Sequence, residues 1–162
     1  MEMNNKMFKL QTGILFIGTV FAWFTVYTDF TRFYNLYGSV TKITGCTIPN
    51  PVTTPCFYGA FAFLLGFIWS VNILKKITKN EDIAIKQRNL RYLLIAGTTF
   101  AWGNFTYEIY KYYATTTAVK VSCSGVATDN VFLTACFYGS VIFLAALVTS
   151  IVIKKKHFSK VL

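Results

Sequence analysis

Hydrophobic residues along this chain gather into four long runs separated by short polar stretches: roughly Leu10–Tyr37, Pro55–Leu74, Tyr92–Tyr113 and Val131–Ile153. The first contains a charge-free stretch from Leu10 to Thr28, bounded by Lys9 and Asp29. Each run approaches or exceeds the ~20 residues a helix needs to cross about 30 Å of hydrocarbon. Lipid offers no partner to an open backbone group, so such runs must be helical. The pattern predicts an all-α integral membrane protein, a bundle of four transmembrane helices. A cleaved signal peptide is the alternative for the first run, since Lys6 and Lys9 precede it. That run is longer than a usual signal core and lacks a small-residue cleavage site.

The runs are related in pairs. Gly18-Thr19-Val-Phe21-Ala22-Trp23 recurs 79 residues later as Gly97-Thr98-Thr-Phe100-Ala101-Trp102, and at the same offset Asp29 meets Glu108, Arg32 meets Lys111 and Tyr34 meets Tyr113. Beyond the polar loops the offset becomes 80: Cys56-Phe-Tyr-Gly59 matches Cys136-Phe-Tyr-Gly139, Leu64 matches Leu144, Ser70 matches Ser150, and Lys75-Lys76 matches Lys155-Lys156. The expected organisation is a single membrane domain, 1–162, with repeat 1 at about 10–76, repeat 2 at about 90–156 and a cytoplasmic linker at about 77–89. Each repeat is a helical hairpin entering from the same side. Two tandem hairpins of the same orientation imply a pseudo-two-fold axis along the membrane normal.

Composition strengthens the membrane reading: 54% of residues are hydrophobic, 18% aromatic and only 14% charged. One domain of 162 residues cannot hide that much apolar surface from water. The net charge of +10 lies at segment ends and forms no stripe with interleaved aromatics, so no nucleic-acid partner is expected. Twelve of the sixteen basic residues fall on one side: Lys6, Lys9, Lys75, Lys76, Lys79, Lys86, Arg88, Arg91, Lys154, Lys155, Lys156 and Lys160. The other side has Arg32, Lys42, Lys111 and Lys120. Basic residues favour the cytoplasm. The expected placement is therefore the plasma membrane, with both termini cytoplasmic and the cysteine loops outside. The basic ends would hold anionic lipid headgroups at the cytoplasmic face.

Small residues at four-residue spacing supply candidate helix-packing faces: Gly18 with Ala22, Gly66 with Ser70, Gly97 with Ala101, and Ala146 with Ser150. In lipid, helices associate where small side chains let backbones approach. Trp23 and Trp102 are expected at the same contacts. Asp29 with Arg32, and Glu108 with Lys111, stand three apart and can pair on one helix face. Glu108 lies roughly 25 Å beyond Arg91 along a helix, so these pairs read as neutralised anchors near the outer boundary. An ion or proton site is the alternative. No charge falls at the expected bilayer centre, which keeps a channel or carrier along the axis as a third function. Asn104-Phe-Thr106 fits a glycosylation pattern but lies within the third helix.

All four cysteines occupy the outer loops. Nine residues separate Cys46 from Cys56, and twelve separate Cys123 from Cys136. Loops this short are readily closed by a disulfide, worth about 3 kcal/mol in the chain-entropy view. Four cysteines allow three pairings, and the repeat favours 46–56 with 123–136. Metal binding is not expected: there is no Cys-x-x-Cys, and the single His157 lies on the opposite side. In layout the chain resembles the four-helix membrane thiol oxidoreductases, the quinone-reducing disulfide generators and the vitamin K epoxide reductases. The resemblance covers size, four spans and outer cysteines. Those enzymes carry a Cys-x-x-Cys, and this chain does not. What the resemblance implies is redox chemistry at Cys46, Cys56, Cys123 and Cys136, with a quinone as cofactor.

Without a phosphate-binding loop, a Ser-His-Asp set or a His-based metal motif, most hydrolytic mechanisms lack their base. The simplest expectation is a non-enzymatic membrane protein, a subunit or scaffold without a cofactor, whose disulfide-braced outer loops form a recognition surface. Its partner would be another membrane protein or a second copy of the chain. A quinone-linked thiol–disulfide oxidoreductase is the alternative.

Overall fold

A computed structural model describes residues 2–41, 48–78, 82–115, 120–122 and 124–158. Among them run four long helices: α1 (Glu2–Tyr37), α2 (Pro55–Thr78), α3 (Ala84–Ala114) and α4 (Ala135–Phe158). The described residues form no strand, only an isolated bridge between Val121 and Ala127. The expected all-helical class is what is seen. Three segments are long and apolar enough to cross a membrane: Lys6–Tyr37, Pro55–Thr78 and Ala135–Lys155. Helix α3 is long enough, but its polar and charged residues leave it short of the same apolar character.

Local chemistry sets the helix ends. Gly38 adopts φ +66°, and its N–H donates to Tyr34 O at 2.8 Å, which closes α1. A side chain would be strained there, so glycine is the residue that fits. Before α2, Asn50 accepts from Val52 N at 3.0 Å and starts a 3-10 turn, Pro51–Thr53. Before α4, Asn130 accepts from Phe132 N at 2.9 Å and starts the turn Val131–Leu133. Helix α4 therefore begins later than the apolar run suggests, because Val131 belongs to this turn. At the opposite end α2 continues to Thr78 and α3 starts at Ala84, so the helices run further into the expected linker than the apolar pattern indicates.

The buried faces repeat. Along α1 the seam is Phe8, Gln11, Leu15, Gly18, Ala22, Val26, Asp29 and Phe33; along α3 it is Gln87, Leu90, Leu94, Gly97, Phe105 and Glu108. Steps of three and four along α1 lie close to the 3.5-residue period of a left-handed bundle seam, and α3 follows the same steps apart from an eight-residue gap between Gly97 and Phe105. In α2 the seam is Ala60, Phe63, Gly66, Ser70 and Ile73, and in α4 it is Ser140, Phe143, Ala146, Ser150 and Ile153. Helix α1 packs on α2 and α4, and α3 on the same two. Helices α2 and α4 meet across the diagonal, where the rings of Phe63 and Phe143 stack.

Beneath that stack lies a polar cluster absent from the sequence-based picture. Gln11 and Gln87 are fully enclosed, at 0% and 1% exposure. Gln87 Nε2 donates to Gln11 Oε1 at 3.2 Å and lies 3.3 Å from Ser150 Oγ. Thr12 and Ser70 share a hydrogen bond of 2.5 Å. The bundle is therefore not purely apolar inside: one end of each amide is paired, while Gln11 Nε2 and Gln87 Oε1 are buried with no hydrogen-bond partner among the described residues.

Candidate functional site

The cysteine-bearing end of the bundle is built from two short segments of matching design. In each, an Asn-capped turn leads to a threonine and then a Cys-Phe-Tyr-Gly at the first turn of a helix. Thr54 donates its hydroxyl to Pro51 O at 2.7 Å, and Thr134 donates to Val131 O at 2.8 Å. Phe57 N reaches Thr54 O, and Phe137 N reaches Thr134 O, both at 3.1 Å. This geometry turns Cys56 and Cys136 toward the bundle centre. Their Sγ atoms stand 3.8 Å apart. Asn50, Asn130, Thr54 and Thr134 went unnoticed in the sequence, although each pair is 80 apart, like the cysteines they position.

The two sulfurs border a cavity of about 60 Å³. Phe21 and Phe100 wall it, Phe63 and Phe143 close it below, and Asn104 contributes a polar edge. Asn104 itself is committed to its own helix, donating to Phe100 O at 2.7 Å. An engineered cavity that admits benzene measures about 150 Å³. The space beside the cysteines is therefore too small for a quinone ring, and the aromatic lining packs against itself.

Cys46 and Cys123 lie outside the described residues, so the expected pairings 46–56 and 123–136 fall there too. Described residues next to them do converge. Gly125, at φ +75°, packs so closely on Ile48 that an added Cβ would come within 2.9 Å of it. Tyr37 accepts from Ile48 N at 3.3 Å, tying the first segment to α1.

Of the expected ion pairs, Asp29–Arg32 forms at 3.1 Å. Arg32 Nη2 also donates to Ser124 O, which anchors the second outer segment to α1. Glu108 Oε2 lies 3.4 Å from Thr134 Oγ1, whose proton goes to Val131 O, and the Lys111 ammonium lies 5.7 Å from the Tyr107 ring centre. Both acids face the interior of the bundle. Asp29 and Glu108 are each 5% exposed, inside the bundle and within electrostatic reach of Cys56.

The expected packing residues divide by role. Gly18 and Gly97 sit against Phe63 and Phe143, where no Cβ would fit without displacing a ring. Gly66 faces Leu15 at ordinary contact distance. Ala22 and Ala146 are buried, and Ala101 packs at the edge of the core. Ser70 and Ser150 belong to the polar cluster. Trp23 packs edge-on against Phe61 at 5.3 Å, and Trp102 against Phe105 at 5.9 Å. Among the described residues no three His, Cys, Asp or Glu side chains converge on a metal-sized point.

No family model, curated protein or solved structure matches this chain.

Proposed function

We propose that this chain is a four-span plasma-membrane protein of two same-orientation hairpins, which performs thiol–disulfide exchange at its outer end. One observation carries the proposal: Cys56 and Cys136, from different hairpins, hold their sulfurs 3.8 Å apart. Two independent loop braces would not require their sulfurs to meet. Contact between them lets a disulfide held by one loop pass to the other. The attacking thiolate forms the new S–S bond, and the displaced sulfur leaves as a thiolate and takes up a proton. Exchange with an outside dithiol protein then oxidises that partner by two electrons and leaves two thiols here. No step runs through a quinone, because the cavity does not accommodate one.

The four-span topology is supported by α3 itself. Between Arg91 and Glu108 it carries no charge, a stretch of about 24 Å at helical rise. It also packs on both α2 and α4, with Gln87 and Glu108 on its buried face. The excess of basic residues at the inner ends supports cytoplasmic termini and an association with anionic headgroups. The seams recurring 79 and 80 residues apart support a duplicated hairpin and its axis along the membrane normal.

A non-enzymatic subunit or scaffold is the second reading, favoured by the tight closure around the sulfurs. There the four cysteines only brace a recognition surface, with Tyr34 and Tyr113 exposed at its rim. The Phe63–Phe143 stack disfavours a channel along the axis. The deciding measurement is the reduction potential of each bridge in the purified protein. A bridge above about −300 mV, lost in both C56S and C136S, supports exchange. Two bridges below that limit would leave the scaffold function standing.

A further inference from the structure

At the end opposite the cysteines, a cavity of about 240 Å³ opens between α2 and α3. Trp69 and Asn72 line it from α2, Lys86 and Asn89 from α3, and all four are exposed. Among the described residues, neither asparagine side chain makes a hydrogen bond and Lys86 makes no ion pair. Asp82, the described carboxylate nearest in sequence, accepts from Ala84 N at 2.9 Å and does not line the cavity. The cleft therefore offers an ammonium, two uncommitted amides and an indole N–H, with no carboxylate to match them.

The repeat shows that helix packing does not require these groups. Exchanging the two repeats turns the α2–α3 contact into the α4–α1 contact. At the offsets of 80 and 79, Trp69 then becomes Thr149, Asn72 becomes Val152, Lys86 becomes Met7 and Asn89 becomes Leu10. Thr149 gives its one proton to its own helix, 2.8 Å from Ala146 O. One copy of the contact thus carries four side-chain donors, and the other has none to spare. Four positions on two helices differ together where they meet at one cleft. A ligand that occupies only one of two duplicated contacts would leave that pattern.

Asn72 lies about 25 Å along α2 from Pro55 at helical rise, so the cleft falls where hydrocarbon gives way to headgroups in the leaflet opposite the cysteines. Tryptophan favours that level. Seven residues back from Asn72 comes Leu65, and fourteen on from Lys86 comes Phe100, both exposed. They continue the same helix faces as an apolar track for acyl chains, which a free phosphate would not use. We propose that this cleft binds the phosphodiester of an anionic glycerophospholipid in the cytoplasmic leaflet. Lys86 meets its charge, and Asn72 and Asn89 donate to its oxygens, as in other basic pockets between membrane helices. Lys75 and Arg88, exposed within three residues of the cleft, repel the ammonium of a zwitterionic headgroup. The inference rests on the four-span reading and narrows its headgroup association to one site.

The test places the full chain in nanodiscs of phosphatidylcholine with a minority of phosphatidylglycerol, then counts retained lipid by native mass spectrometry. Retention of phosphatidylglycerol at least tenfold above its share of the bilayer is expected. K86M/N89L, which installs the residues of the other repeat, should abolish it. R88M removes the same charge two residues away without touching the cleft, and should keep it. N72V leaves the charge in place and should cut retention at least threefold, which decides the matter if K86M/N89L does not fold. Equal loss in R88M and K86M/N89L, or retention unchanged in K86M/N89L, reduces the effect to diffuse charge at the helix ends and overturns the site. An inserted chain with no lipid preference overturns this proposal alone. A chain that no nanodisc accepts overturns the four-span reading and the proposal with it.

Discussion

The rings of Phe63 and Phe143 stack with their centroids 3.8 Å apart and their planes 24° from parallel, and each presses on a glycine of a neighbouring helix. Phe63 covers Gly18, and Phe143 covers Gly97. Seven residues along α2 and α4 in one direction bring Cys56 and Cys136; seven in the other bring Ser70 and Ser150. A seven-residue step is two helical turns, so the three pairs line one seam between the diagonal helices.

Neither ring can swing aside without breaking the stack, so Gly97 should tolerate no side chain. A Cβ there would lie 2.6 Å from Phe143 Cε1. G97A is expected to destabilise the bundle by about 1–3 kcal/mol through overpacking. Gly103 on the same helix has nothing within 4 Å of an added Cβ. Unfolding of G97A and G103A in one detergent checks this; equal stability would show that the stack yields.

The amide pair beneath the stack should respond more to losing one partner than to losing both. Q87L leaves Gln11 Oε1 without its donor, and about 1–3 kcal/mol of stability should go with it. Removing both amides in Q11L/Q87L should restore part of that loss, since Gln11 is then no longer stranded and only Ser150 Oγ has lost its donor. The same unfolding assay compares the two. A double variant weaker than Q87L would mean that the amides serve the fold in another way.

Contact between the sulfurs predicts a bond that the loop pairings do not. In C46S/C123S, mild oxidation should join Cys56 to Cys136, and peptide mass spectrometry should find the cross-linked pair. Recovery of both as separate thiols under those conditions would remove the geometric basis for exchange.

The asparagine caps should matter locally. N130A loses the acceptor for Phe132 N, a cap worth about 1 kcal/mol. Faster hydrogen exchange is expected in the first turn of α4, around Cys136, with the inner half of the helix unchanged. Uniform acceleration along α4 would mean that the turn is coupled to global unfolding.

Much of the fold was legible because two signals, apolar run length and self-similarity, do not depend on knowing the partner. Leu10–Thr28 shows no charge whatever it packs against, and Gly97 announces itself through Gly18. The candidate site was only half legible. The sequence marks Cys56 and Cys136 as equivalent, but equivalence across a repeat does not say whether two copies face each other or stand apart. Position along a helix gave the depth expected for Asp29 and Glu108, but not the direction they face. Both turn inward because the seam of α1 and α3 passes through them.

What the sequence by itself determined is the set of helices, their duplicated pattern and the chemistry available at each level. Periodicity and hydropathy are properties of one segment in its solvent, so they survive without the rest of the molecule. What only the tertiary structure decided is which faces meet: the sulfurs in contact, Phe63 over Phe143, Gln87 on Gln11, and the cleft that Asn72 shares with Lys86. Those choices depend on how four helices share a limited interior. Two backbones close up wherever glycine leaves room for a ring, and only the packed bundle shows which ring takes it.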